Sequence, residues 1–326
     1  MKSLRKHLSD YLLMRRALGF RLKRQGKALA NFVSFMESNK AAYITTSNAL
    51  EWAQLSMESK HATWASRLSN VRKLAQYVAA FDSRTEVPPV NLLPHKPQRV
   101  QPYLYTDDEI EQLMAAALKL PVCPFQPGGS MLKRQTYYCL IGLLSVTGMR
   151  ISEATNLEVK DVDLAEGVIT IRGAKHGKVR LIPLHASTVV ALTRFKEHRT
   201  QYQSGDASDY FFINRVGKAL DHGTVRRTFY DLLHQVGLLG LRRKKKKRAA
   251  TGQNKRPRIH DLRHRFAVRS LIRWYQRGED AERKLPVLST YLGHVHVSDT
   301  YWYLTAYPEL MKHGVELLER RWQVKP

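Results

Sequence analysis

Arg150 in TGMRISE (147–153), Lys175 and Lys178 in AKHGK (174–178), His260 and Arg263 in HDLRH (260–264), His294 in LGH (292–294) and the tyrosines of YWY (301–303) have types and spacing that could do chemistry. A guanidinium is a planar fork of donors matched to phosphate oxygens, so two of them suit the charge that builds on a phosphoryl group under attack. His260 and Arg263 stand three apart, which on a helix puts them on one face. A tyrosine hydroxyl can attack phosphorus, and lysine or histidine can move protons. Zinc hydrolysis competes for HDLRH, because His260 and His264 lie four apart. The metalloprotease pattern needs glutamate second, however, and here that residue is Asp261, with no cysteine near. No metal or other cofactor is expected.

Taken in order, the five stretches resemble the tyrosine recombinases, also called the phage integrase family. That family carries an arginine in TGxRxSE, a lysine on a β-hairpin, HxxR, LGH, and a tyrosine nine residues after the last histidine; nine residues after His294 is Tyr303. The motifs cover about residues 103–310, and the N-terminal part is more loosely similar to the family's core-binding domain. Each motif alone has an ordinary explanation: a surface arginine, a hydrogen-bonded histidine, a solvated turn lysine. All five in family order are a poor coincidence.

The resemblance implies a mainly α (α+β) chain. A helical core-binding (SAM-like) DNA-binding domain, 1–98, would be linked to a mostly helical catalytic domain, 103–326, with a small antiparallel β-sheet. It implies a site-specific DNA strand transferase, independent of metal and ATP. Tyr303 would attack a phosphodiester to give a covalent 3′-phosphotyrosine, conserving the bond energy for religation. Arg150 and Arg263 would stabilise the phosphoryl oxygens, and losing either should cost about 10²–10³-fold or more by analogy with a lost oxyanion donor. Lys175 would protonate the leaving 5′ oxygen, with Lys178 the competing candidate. His260 would bond the phosphate or assist proton transfer from Tyr303, His294 would donate to a non-bridging oxygen, and Glu153 would hold Arg150 or a histidine in place. Tyr301 is the alternative nucleophile, with Tyr291 and Tyr307 close by. Double-stranded DNA is the implied partner, bound by a homotetramer on two sites, with accessory DNA-bending or directionality proteins. The alternatives are a catalytically silent DNA-binding protein of this fold and a DNA-relaxing enzyme resembling type IB topoisomerases.

Charge supports a polyanionic partner independently. The 326 residues carry 54 Lys and Arg against 28 Asp and Glu, a formal +26. Residues 1–100 hold +11 of it, and the 17 residues Arg242–Arg258 hold another +10 with no acid among them, leaving +5 for the rest. A run of like charges cannot pack, so Arg242, Arg243, Lys244, Lys245, Lys246, Lys247 and Arg248 read as a solvated loop. Such a loop can also order against DNA phosphates. With Arg67, Arg72, Lys73 and Lys178 they are the candidate DNA contacts. Phosphate contacts would position the DNA without reading its sequence. The longest uncharged stretch, Gln135 to Met149, falls short of the roughly 18 apolar residues of a spanning helix. No secretory signal is expected at MKSLRKHLSDYLLMRR. Two cysteines, Cys123 and Cys139, make no disulfide framework, so a cytoplasmic, nucleoid-associated protein is expected.

The elements that must position these residues follow from periodicity. From Leu4 to about Ala80 helical spacing predicts three or four helices, with Ser9 or Asp10 and Thr46 or Ser47 as N-caps. Five prolines in 86–103 mark an interdomain linker. Thr106 caps a new helix whose first turn is acidic. Alternation in GVITIRGAKHGKVRLIPL predicts a β-hairpin that turns at Gly173 to Gly177, and later segments return to helical spacing. Val315, Leu317, Leu318 and Trp322 make the C-terminal stretch apolar; it would pack on its own core or dock on a neighbouring subunit.

Overall fold

The computed structural model describes residues 3–20, 22–55, 61–93, 101–122, 125, 127–172, 179–202, 208–239, 256–307, 310, 311, 315, 319 and 322. The chain divides into two compact units, Met1–Val100 and Gln101–Pro326.

In the first unit the helical spacing becomes α1 (Leu4–Ala17), α2 (Lys23–Ser38), α3 (Thr46–Gln54) and α4 (His61–Val78). Leu8, Phe32, Val33, Met36, Trp52, Val71 and Leu74 are among the residues that close its core, with Phe32 edge-on to Trp52 at 5.2 Å. The caps fall earlier than expected. Ser3 Oγ accepts from the Lys6 N–H at 3.3 Å and Thr45 Oγ1 from the Asn48 N–H at 3.1 Å, so Ser9 and Asp10 lie inside α1, and Thr46 and Ser47 inside α3. Apolar periodicity locates a helix face, whereas a cap depends on extended backbone just before the first turn.

Of the candidate DNA contacts here, Lys73 is exposed. The Arg67 guanidinium carbon lies 5.5 Å from the Trp52 ring centre. Arg72 donates to the carbonyls of Pro88 and Pro89 at 2.7 and 2.5 Å, which makes it a tie between α4 and the proline-rich segment.

The first helix of the second unit is capped where expected. The Thr106 hydroxyl accepts from the Glu109 N–H at 3.1 Å, and the Glu109 carboxylate accepts from the Thr106 N–H at 2.9 Å, a complete capping box on α5 (Asp107–Leu118). Then come α6 (Pro127–Thr147), α7 (Ile151–Thr155), β1 (Val162–Asp163), β2 (Val168–Ile171), β3 (Arg180–Pro183), α8 (Ala186–Tyr202), α9 (His222–Gln235), α10 (Asp261–Gln276), α11 (Ala281–Leu292) and α12 (Ser298–Ala306). The expected hairpin is β2–β3, antiparallel, with Ile169 opposite Ile182 and Ile171 opposite Arg180. A third strand, β1, completes the sheet in the order β1-β2-β3. At two residues β1 is too short for alternation to register. The mainly α arrangement with one small antiparallel sheet is the fold class the sequence implies.

Two cores organise this unit. Leu113, Leu140, Leu144, Ile169, Phe195, Phe211 and Phe229 belong to the larger, and Val268, Leu271, Leu285, Leu288, Leu292 and Tyr303 to the smaller. α10 gives Leu262 to the first and Val268 to the second, so its opening turn, which carries HDLRH, stands where the cores meet. Among the described residues, no helix is long and apolar enough to cross a membrane. Lys175 and Lys178, between β2 and β3 in sequence, and the residues Arg242 to Arg248 lie outside the described residues.

Candidate active site

Four residues singled out by spacing meet where the loop before α7, the start of α10 and the turn after α11 converge. Arg150 is the N-cap of α7. Its Nη1 donates to Glu153 Oε1 at 2.7 Å and its Nη2 to the Gly293 carbonyl at 2.6 Å, while its backbone N–H donates to Glu153 Oε2 at 2.7 Å. Arg263, in the first turn of α10, is 2% exposed. It donates from Nη1 to the Gly148 carbonyl at 2.9 Å and from Nη2 to the Leu292 carbonyl at 2.6 Å. Burial, and then the charge of Arg150, lowers its guanidinium to about 10. Both arginines are thus anchored on backbone carbonyls, in directions fixed by the fold.

Two glycines make that anchoring possible. Gly148 has φ +60°, and a Cβ there would stand 2.5 Å from Phe266 Cδ1. Gly293 ends α11 at φ +68°, with its N–H on the Thr290 carbonyl and the His294 N–H on the Ser289 carbonyl, both at 2.9 Å. This left-handed cap turns the chain out of α11 and presents His294.

Glu153 does more than hold Arg150. Its carboxylate also accepts from Arg180 on β3, Nη1 at 3.0 Å and Nη2 at 2.6 Å, with both side chains 9% exposed. Burial works to raise the Glu153 carboxyl, but the hydrogen bonds and charges of Arg180 and Arg150 together hold it below the usual carboxylate range. The sequence motifs point only to the hairpin lysines and pass over Arg180. A signal was available: period-two alternation puts Arg180 on the same face as Ile182, which is fully buried, and an inward arginine requires a carboxylate.

The ring that hydrogen-bonds the Tyr303 hydroxyl is His264, through Nδ1 at 2.9 Å. Tyr303 is 2% exposed, packed in the smaller core, and the His294 ring lies nearly parallel to it at 6.5 Å. His294 Nδ1 bonds Thr300 Oγ1 at 2.8 Å, which fixes that imidazole through one nitrogen. His260 is the N-cap of α10, at the surface, edge-on to His264 at 4.9 Å. The three imidazoles are held far below their usual range. His260 still reaches solvent, yet desolvation on its packed side and then the charges of Arg263, Arg258 and Arg150 bring it to about 4. Burial, His260 and then Arg258, Arg263 and His294 bring His264 to about 3. Burial, Arg263 and Arg150 bring His294 to about 4. All three are neutral at pH 7, able to donate from one nitrogen and accept at the other.

The other tyrosines differ from Tyr303. Tyr301 is 49% exposed. Tyr291 stacks on Phe266 at 5.4 Å, and burial pushes it up to about 12 although Arg180 and Arg263 pull the other way. Tyr307 is buried, its hydroxyl without a hydrogen-bond partner among the described residues, and burial raises it further.

Two anchored guanidiniums, three neutral imidazoles and one tyrosine thus converge in a mostly helical unit, a set of groups able to bind an anion and to move a proton beside it. The chain belongs to the phage integrase family, whose model matches residues 104–309. It is 48% identical over 324 residues to the putative integrase/recombinase y4rB of Sinorhizobium fredii, covering 99% of each chain. It is 26% identical to the tyrosine recombinase XerC of Staphylococcus aureus, over 86% of this chain and 83% of that one. Among solved structures, the Tn1549 transposon integrase in complex with transposon right end DNA superposes with a TM-score of 0.64 at 17% identity, over 98% of this chain and 99% of that chain. The site-specific recombinase XerH bound to its difH substrate does so with 0.60 at 20%, over 88% and 77%.

Proposed function

We propose that this chain is a site-specific tyrosine recombinase that cuts and rejoins DNA strands through a covalent 3′-phosphotyrosine and serves the integration, excision or transposition of a mobile element. The observation that carries this is the convergence of Arg150, Arg263, His294 and Tyr303 in one site, each on a rigid anchor. Tyr303 is the nucleophile. Arg150 and Arg263 bind the non-bridging oxygens and stabilise the charge that grows there. His294, held by Thr300 through Nδ1, presents Nε2 as a donor to the same oxygens, and His260 adds a second imidazole at the rim. Lys175, on the hairpin turn, protonates the departing 5′ oxygen. No metal or nucleotide is called on.

Charge supports a DNA duplex gripped by both units, with +11 in residues 1–100 and +10 in Arg242–Arg258. The names of the relatives and the DNA in the solved neighbours support the same substrate. Strand exchange by a homotetramer on two sites fits the exposed apolar residues Met311, Val315 and Trp322 after α12, which suit a neighbouring subunit. The test is Tyr303→Phe on a nicked suicide duplex. The wild type should become covalently attached to DNA and the variant should not; an adduct on the variant would sink the assignment.

A further inference from the structure

We propose that His264, to which the sequence motifs assign no role, is the catalytic residue that accepts the proton of Tyr303. The inference rests on the function proposed above and deepens it.

The geometry comes first. His264 Nδ1 lies 2.9 Å from the Tyr303 hydroxyl, within reach for direct proton transfer. The ring is fixed on several sides: it lies one turn into α10, edge-on to His260 at 4.9 Å and to Trp302 at 5.8 Å. With Nε2 protonated, Nδ1 accepts the hydrogen bond from the tyrosine. His294, the other imidazole against Tyr303, has its own Nδ1 engaged by Thr300. The two rings therefore divide the work, with His264 facing the nucleophile's proton and His294 left to the phosphate.

The proton balance closes without any co-reactant. As Tyr303 Oη bonds to phosphorus, its proton passes to His264 Nδ1 and the ring becomes imidazolium. The bond from phosphorus to the 5′ oxygen breaks, and that oxygen takes a proton from the general acid, Lys175. In religation the 5′ hydroxyl attacks, its proton returns to the lysine, and His264 gives its proton back to the departing tyrosine oxygen.

The electrostatics make this base conditional on substrate. Burial and the neighbours His260, Arg258, Arg263 and His294 hold His264 at about 3 in the DNA-free protein. Arg263 is also a group that a bound phosphodiester would neutralise, and an arriving anion raises the proton affinity of an imidazole beside it. His264 is therefore a poor proton acceptor until a phosphate fills the site, which reserves the attack of a buried nucleophile for bound substrate.

The experiment is single-turnover adduct formation on a nicked suicide duplex by wild type, H264A, H264N and K175A. Each is assayed with an ordinary scissile phosphate and with one whose bridging 5′ oxygen is replaced by sulfur. A thiolate leaves without a proton, so K175A should recover on the sulfur substrate. H264A and H264N should stay roughly 10²-fold slow on both. Asparagine can accept a hydrogen bond from Tyr303 but cannot hold its proton, so an H264N rate equal to wild type would reduce His264 to a positioning contact and overturn the proposal. Acceleration in H264A would make the residue a latch, and recovery of either His264 variant on sulfur would place it at the leaving group; both also overturn it. If H264A fails to fold, H264N, checked by its DNA affinity, carries the test. A wild type that forms no adduct overturns the proposed function itself, whereas a wild-type adduct with an unchanged H264N rate overturns only the role of His264.

Discussion

The Gly293 carbonyl accepts a hydrogen bond from Arg150 Nη2 at 2.6 Å. The LGH turn and the TGMR loop, 143 residues apart in sequence, are thereby one structural object: the arginine that would face the phosphate is aimed by the backbone of the turn that carries His294. Gly293 is confined twice over. Its φ is +68°, and a Cβ there would lie 2.6 Å from Arg180 Nη1 and 3.4 Å from Arg150 Nη1. Gly293→Ala should cost about 1–2 kcal/mol of stability from the left-handed backbone. It should also displace the Arg180 guanidinium and, through the Glu153 carboxylate that both arginines share, disturb Arg150, slowing adduct formation by at least about tenfold more than that strain explains, because positioning errors of an ångström are expensive. Melting temperature and single-turnover rate, measured on the same variant, separate the two effects; a rate that falls only in step with stability counts against the coupling.

Arg180 should act through Glu153. Removing it leaves a carboxylate that is 9% exposed with one partner in place of two. Breaking a buried pair costs about 3–5 kcal/mol, so Arg180→Met should shift the urea midpoint down strongly. The double variant Arg180→Met with Glu153→Gln should recover part of that loss, since no uncompensated charge is left behind. Additive losses would show that the pair is not the source.

How much of the site is legible in the sequence follows from the range of the interactions. Arg150, Arg263, His294 and Tyr303 can be named because each sits in a short motif whose spacing survives in one dimension. Thr106 is legible because both halves of its capping box are three residues apart. The inward face of Arg180 can be read from alternation, but its pairing with Glu153 cannot, nor that of His264 with Tyr303, because these partners lie 27 and 39 residues away. Only the placement of β3 beside α7, and the packing of α10 against α12, brings them together. Arg72 shows the opposite limit: net charge counts a cation wherever it points, and the two backbone carbonyls that this one meets are invisible in it.

Stability should fall on mild acidification. Free imidazoles titrate near 6.5, while folding holds His260 and His294 at about 4 and His264 at about 3. Between those values the unfolded chain binds protons that the folded chain refuses, so stability is full above about pH 6.5 and declines as pH drops toward 4. Each proton contributes a limiting slope of roughly 1.4 kcal/mol per pH unit, least for the exposed His260. Melting temperatures at pH 7, 6 and 5 should descend, and His294→Gln should flatten the descent. A flat profile in the wild type would mean that the imidazoles are not desolvated as the structure has them.

Deleting residues 242–255, which spares Arg258 and its ion pair with the buried Asp261, should weaken DNA binding and reduce its salt dependence. Every phosphate that is no longer neutralised takes about 0.9 from the slope of log K against log salt concentration. The deleted run holds eight cations, so a change of several units is expected if it lies along DNA, and none if it stays in solvent. Cleavage at saturating protein and low salt should persist.

The apolar residues after α12 should matter only when subunits meet. Met311, Val315 and Trp322 are 56%, 52% and 72% exposed, whereas Leu310 beside them is 2% exposed and belongs to the smaller core. Helical spacing of four and seven residues places Met311, Val315 and Trp322 on one side of a helix. Exposed apolar side chains aligned in this way gain nothing within the chain that presents them and about 25 cal/mol per Å² when covered. Val315→Asp combined with Trp322→Asp should leave folding and the binding of one subunit to a half-site unchanged. It should abolish cooperative filling of a full site and strand exchange between two sites. Gel-shift titration resolves the singly and doubly bound complexes. Unaltered cooperativity in the double variant would assign these side chains to solvent and move the subunit interface elsewhere.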